Sequence, residues 1–169
     1  MIAYKFLRAD GTSVFTGFSW PLPNDGPGAW VEAKVEPCRS GIHACRPEHL
    51  ALWAGPTLYE VELDGEIVEE RTKLVGARAR LTRRVEAWDG AMRERYTRAC
   101  ADRAHELVRE APAALERWAA AIEPSVREGP ALLGFMAARI AEEIAGPDAY
   151  HAERARQTEW LVGQLRLES

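Results

Sequence analysis

Between Pro37 and Trp53 the chain reads PCRSGIHACRPEHLALW, which places two of its three cysteines and two of its four histidines within twelve residues. Cys38, His43, Cys45 and His49 follow the pattern Cys-x4-His-x-Cys-x3-His. Three chemistries can be written on these residues. An imidazole titrates near neutral pH, so His43 can act as general acid or base, with Cys45 or Cys38 as nucleophile or polarisable neighbour. Four soft or borderline donors also match the count of a structural zinc site, although the spacing fits no familiar zinc knuckle. The third reading is structural: a core histidine held by a backbone carbonyl, with cysteines packed behind it as small apolar fillers.

The local elements must aim these side chains. Ser40-Gly41 reads as a turn and Ile42 to Cys45 as a short strand, so His43 and Cys45 share one face, with alpha carbons about 7 Å apart. Pro47 suits the first turn of a helix, and PEHLALW then forms two short turns that Gly55-Pro56 ends.

From Ile2 to about Val85 the chain reads as short strands. IAYKFLR and SVFTGF flank Asp10-Gly11, and TLYEVEL and EIVEERT flank Asp64-Gly65, so each pair is expected to be a hairpin closed at an Asp-Gly turn. Trp30 to Glu36 reads as another strand. SWPLPNDGPGAW, bracketed by Trp20 and Trp30, is a loop. GARARLTRRVEAW alternates with period 2 and is a strand, whose Arg78, Arg80 and Arg84 are expected to pair with Glu60 and Glu62 on a neighbour.

After Trp88 the period becomes helical. Asp89 caps a first helix with Met92, Tyr96, Cys100, Ala104 and Leu107 on one stripe. Pro112, Gly129-Pro130 and Gly146-Pro147-Asp148 open three more. The fold class is therefore α+β: a curved, mostly antiparallel sheet over residues 1–88, then an antiparallel helical subdomain of about four helices over 89–169, packed on it.

Composition narrows the function. The chain has 169 residues, a formal net charge of −4 and 47% hydrophobic residues, which suits a soluble protein with its own core. No basic excess favours nucleic acid or an anionic membrane as partner. The opening MIAYKFLRADG lacks the apolar core of a signal peptide, and an odd number of cysteines points to free thiols in a reducing compartment, so the expected location is the cytoplasm.

AYKFL, CRSGIHAC, LYEVELDGEI and ARLTRRVEAW, in that order, resemble an uncharacterised bacterial and phage domain family marked by Cys-x-x-Gly-(Ile or Phe)-His-Ala-Cys. The resemblance covers residues 1–88 and implies no activity. The order of Tyr4-Lys5, Gly41-Ile42-His43-Ala44, a short helix and Leu58 to Leu63 is more distantly similar to ADP-ribosyltransferase-like folds. That similarity implies a dinucleotide-anchoring place for Lys5 and a stacking place for His43. The sequence departs from it by Lys for Arg or His, Phe6 for Gly, and His for Tyr.

The leading expectation is a small intracellular enzyme performing acid/base or group-transfer chemistry on a small organic substrate. His43, Cys45 and Cys38 would be its catalytic residues, and Trp20, Trp30, Tyr96 and Lys5 its substrate-binding ones. It would need no cofactor and no metal. The rival is a non-catalytic binding or assembly module in which the cysteine-histidine segment is structural. The helical half is then the candidate surface for a homodimer.

Overall fold

A computed structural model describes residues 1–36, 40–111 and 113–167. They form two compact units, Met1–Trp88 and Asp89–Arg166. The first carries β1 (Ile2–Leu7), β2 (Val31–Glu32), β3 (Ile42–Ala44), a 3-10 turn (Pro47–His49), α1 (Leu50–Trp53), β4 (Thr57–Glu69) and β5 (Leu74–Arg84). The second carries α2 (Gly90–Glu110), α3 (Glu116–Ser125), α4 (Pro130–Ala145) and α5 (Pro147–Leu165). The architecture is α+β, an antiparallel sheet followed by helices.

The sheet order is β1-β4-β5-β2, with β3 also paired to β5. Alternation dictates its core. Ala3 and Leu7 of β1 lie on one face with Val61 and Leu63 of β4 and with Ala79 and Leu81 of β5, all of them buried. The sheet curves until β3 returns to β1: Tyr4 and Cys45 exchange both backbone bonds, N to O at 2.8 Å each way.

Asp10-Gly11 makes the expected turn, with Gly11 N–H bonded to Arg8 O and a Leu7–Ser13 bridge behind it. Asp64-Gly65 does not. β4 runs through both residues, and the chain reverses only between Glu69 and Leu74, where Glu70 N–H bonds Lys73 O. Asp64 pairs with Arg78 and Ile67 with Gly76, so Gly65 and Glu66 oppose the single residue Ala77. Gly65, at φ 73°, is the left-handed residue of a β-bulge. An Asp-Gly pair supplies the same backbone shape to a bulge as to a turn, and partner length decides between them. The expected strand from Trp30 to Glu36 shortens to two residues, and SVFTGF carries one isolated bridge, from Ser13 to Leu7, rather than a strand.

A second register shift, at Glu60/Val61, changes the charge ladder. Arg80 pairs with Glu62 as expected, but Arg83 rather than Arg84 meets Glu60, and Arg84 lies 3.7 Å from Glu86. Arg78 joins Asp64 and Glu32. These partly exposed pairs are worth about 0.2–1 kcal/mol each.

In the helical unit, Asp89 Oδ1 accepts the Met92 N–H at 2.7 Å, the expected N-cap. Tyr96, Cys100, Ala104 and Leu107 are buried along α2, as are Leu133, Met136 and Ile140 along α4. Helices α4 and α5 start at Pro130 and Pro147, the punctuation expected of them. Pro112, expected to open α3, lies outside the described residues. Among those residues, no helix is long and apolar enough to cross a membrane.

Candidate functional site

The Tyr4–Cys45 exchange fixes the place of every chemistry-bearing residue on the two strands. Two residues further along an antiparallel ladder, β1 should donate a backbone N–H to His43 O. Lys5 does so instead: its Nζ lies 2.6 Å from His43 O. The two strands part here, and an ammonium closes the seam that the ladder leaves open. The same ammonium lies 5.2 Å from the Trp20 ring centroid, a cation–π contact, and no carboxylate pairs with it among the described residues. Desolvation lowers the Lys5 pKa to about 8, against a small upward effect of Cys45.

Cys45, 2% exposed, sits on the closed side of the seam. Burial pushes its thiol up to about 12, the nearby Lys5 notwithstanding. A nucleophilic cysteine needs the opposite environment, electropositive and partly exposed. The Cys45 thiol is buried and held in its neutral form. Cys38, the other expected catalytic thiol, lies outside the described residues.

His43 is half-buried, on the strand face shared with Cys45. Its Nε2 is buried and makes no hydrogen bond among the described residues. Desolvation lowers its pKa, and the ammonium groups of Lys73 and Lys5 lower it further while Glu70 opposes them, so the ring is neutral at neutral pH. The 3.1 Å Lys73–Glu70 pair holds the start of β5, and Trp53 Nε1 bonds Thr72 O at 2.8 Å in the same loop. His49 ends the 3-10 turn. No group of three or more His, Cys, Asp or Glu side chains placed to hold a metal occurs among the described residues.

The three expected pocket walls have different surroundings. Trp20 is a core residue, 7% exposed, with Nε1 donating to Ser13 Oγ at 2.8 Å. Trp30 is covered by guanidinium groups, those of Arg78 and Arg80 lying 4.2 and 4.6 Å from its ring centroid. Tyr96 is in the helical unit, 1% exposed and stacked on Trp160 at 5.4 Å. The structure therefore brings Lys5, Trp20, His43 and Cys45 together, while Trp30 packs under Arg78 and Arg80 and Tyr96 belongs to the helical unit.

Sequence reasoning missed the loop after β1. The sequence pattern puts Val14, Phe15 and Phe18 on a strand, yet they lie in a loop with Phe15 82% exposed. The loop is pinned: Ser13 N–H bonds Phe18 O, Gly17 N–H bonds Ser13 O, and Arg8 Nη2 donates to Val14 O. Phe15 meets Trp53 edge-on at 6.5 Å and Phe18 meets Trp20 at 5.7 Å. Gly17 between two aromatics was the available signal for a tight turn.

A curved antiparallel sheet whose last seam is closed by a lysine, followed in the chain by a helical unit, defines an α+β protein with its chemistry-bearing residues in the first unit. The chain belongs to the family described as Domain of unknown function (DUF7666), whose model matches residues 1–93. That match takes in the whole sheet unit and the opening of α2. No curated protein and no solved structure matches the chain.

Proposed function

We propose that this chain is a non-catalytic binding and assembly module, in which the cysteine-histidine corner closes the sheet and the loop from Val14 to Phe18 is the contact surface. The observation that carries this reading is Phe15, held 82% exposed on a turn fastened by backbone bonds and by Arg8. Burying one such side chain is worth about 1.5–3 kcal/mol, a gain the isolated chain forgoes. Val14 and Phe18, 37% and 45% exposed, extend the surface, and the edge of Trp53 backs it. Apolar surface gathered on a pinned loop marks a contact site, whereas scattered exposed leucines do not.

The partner tested first is a second copy of the chain. Sedimentation velocity of the full chain should show mass rising with concentration, and Phe15→Ser should abolish the rise. Its unfolding midpoint should stay within about 0.5 kcal/mol of wild type, as befits an exposed side chain. A wild-type chain that stays monomeric at every concentration would remove self-assembly through this loop.

A second reading, acid/base chemistry on a small organic substrate at His43, is favoured by one observation: the neutral ring keeps a polar Nε2 without a hydrogen-bond partner among the described residues. A substrate oxygen or N–H would satisfy that atom. The reading requires a ligand to reach a buried nitrogen, which is why it stands second.

A further inference from the structure

Four Asp-Gly pairs occur in the chain, at Asp10, Asp25, Asp64 and Asp89. Glycine has no Cβ to obstruct its own nitrogen, so in each pair that nitrogen can reach the preceding carboxyl, provided both groups are free. The fold occupies three of the four. Asp10 Oδ1 accepts Thr12 N–H at 3.0 Å and Thr12 Oγ1–H at 2.7 Å, and Gly11, itself buried, donates its N–H to Arg8 O. Asp64 Oδ2 accepts from Arg78 Nη1 at 3.1 Å, and both residues of that pair lie within β4. Asp89 Oδ1 caps α2, whose first residue is Gly90.

Asp25-Gly26 differs from all of them. It lies in the loop between Trp20 and Trp30, where Asn24, Asp25, Gly26 and Pro27 are exposed. Neither the Asp25 carboxylate nor the Gly26 N–H has a hydrogen-bond partner among the described residues, and beyond its chain neighbours nothing lies within 4 Å of where a Gly26 Cβ would be. Asn24 N–H reaches Gly26 O at 3.2 Å, a bond that leaves the Gly26 nitrogen untouched. We propose that Asp25 is a site of spontaneous isoaspartate formation, and so an acceptor for a carboxyl methyltransferase that recognises isoaspartate. The Gly26 nitrogen loses its proton to solvent and attacks Cγ of the protonated carboxyl. A C–N bond forms, the hydroxyl takes up a proton and leaves as water, and a succinimide ring remains. Water then opens the ring at either carbonyl. Opening at Cγ restores aspartate, whereas opening at the backbone carbonyl leaves the chain running through the Asp25 Cβ, with the carboxylate now on Cα. Gly28 N–H on Leu81 O and Trp20 N–H on Gly11 O anchor the loop on either side, so the added backbone atom falls within an exposed bend.

The test uses the full wild-type chain, aged at neutral pH either folded or in urea. Peptide mapping with electron-transfer fragmentation distinguishes isoaspartate from aspartate at each of the four positions. In the folded chain Asp25 should convert at least about tenfold faster than Asp10, Asp64 or Asp89, because each of those carboxylates must first give up a charge-assisted hydrogen bond. In urea the four rates should converge, and the aged folded chain should accept methyl groups from S-adenosylmethionine through an isoaspartyl methyltransferase in proportion to the Asp25 conversion. Equal rates at the four sites in the folded chain would overturn the proposal. So would an Asp25 that stays aspartate when folded but converts in urea, or a lead of Asp25 that persists in urea.

Discussion

Gly41→Ala should destabilise the protein by about 2–5 kcal/mol, the sum of two separate costs. Gly41 has φ 119°, a backbone shape that L side chains rarely adopt, and it leads directly into β3. A Cβ added there would lie 2.4 Å from Cγ1 of Val75, the residue paired with His43 on β5. Val75 is fully buried, so its side chain has no solvent to move into. The comparison that separates the two costs is Gly65→Ala, at the bulge of β4. Its φ is 73°, but the nearest atom to an added Cβ is Ala77 Cβ at 3.8 Å, an ordinary contact. Gly65→Ala should therefore cost about 1 kcal/mol, from backbone shape alone. Urea midpoints of the two variants check the pair, and equal losses would contradict the close packing of the β3 corner.

The second large effect is on stability as a function of pH. Lys5 has a folded pKa of about 8 against a reference of 10.5, so the folded state loses this proton first. Unfolding then takes up a proton between those values, and stability rises with pH there by up to about 1.4 kcal/mol per pH unit. Cys45 works in the opposite sense. Its folded pKa of about 12 lies above the reference of 9.0, so its contribution is complete below pH 9 and is lost as pH climbs toward 12. Cys100, pushed by burial to about 11, adds a second loss in the same range. The sum is a rise of about 0.5 kcal/mol from pH 7 to 9 and a decline above it. Lys5→Met should keep the decline and lose the rise. Superimposable wild-type and Lys5→Met profiles, measured by urea denaturation from pH 6 to 10, would contradict a desolvated ammonium at the seam.

Much of the fold is legible in the sequence because its signals are local. The Asp89 cap, the prolines at 130 and 147, and the period change after Trp88 each act within one turn of chain, and each appears where the pattern places it. The α+β order follows from them. The failures are non-local. Asp64-Gly65 carries turn chemistry, but whether it turns or bulges depends on how far β5 extends opposite it. Arg83 replaces Arg84 beside Glu60 because a register shift exchanges neighbours, and no single-strand pattern encodes a shift. At the candidate site, the common face of His43 and Cys45 follows from a strand period of two. The role of Lys5 does not, since it depends on where β1 and β3 part company. Nor do the environments of Trp20, Trp30 and Tyr96, because a ring's type does not say which neighbours will cover it. Phe15 was hidden for a similar reason: its apolar alternation imitates a strand that bonds within the loop prevent.

The corner from His43 to Cys45 is either a seam or an active site, and thiol alkylation separates the two most directly. Native chain treated with iodoacetamide at pH 7 to 9, then mapped for Cys38, Cys45 and Cys100 separately, should leave Cys45 unmodified across the whole range. Burial to 2% and a thiol raised to about 12 deny it both access and thiolate. In urea the same residue should react like any free cysteine. Alkylation of Cys45 in the folded protein at pH 7, at the rate of an exposed thiol or faster, would contradict a structural corner and return this residue to a catalytic role.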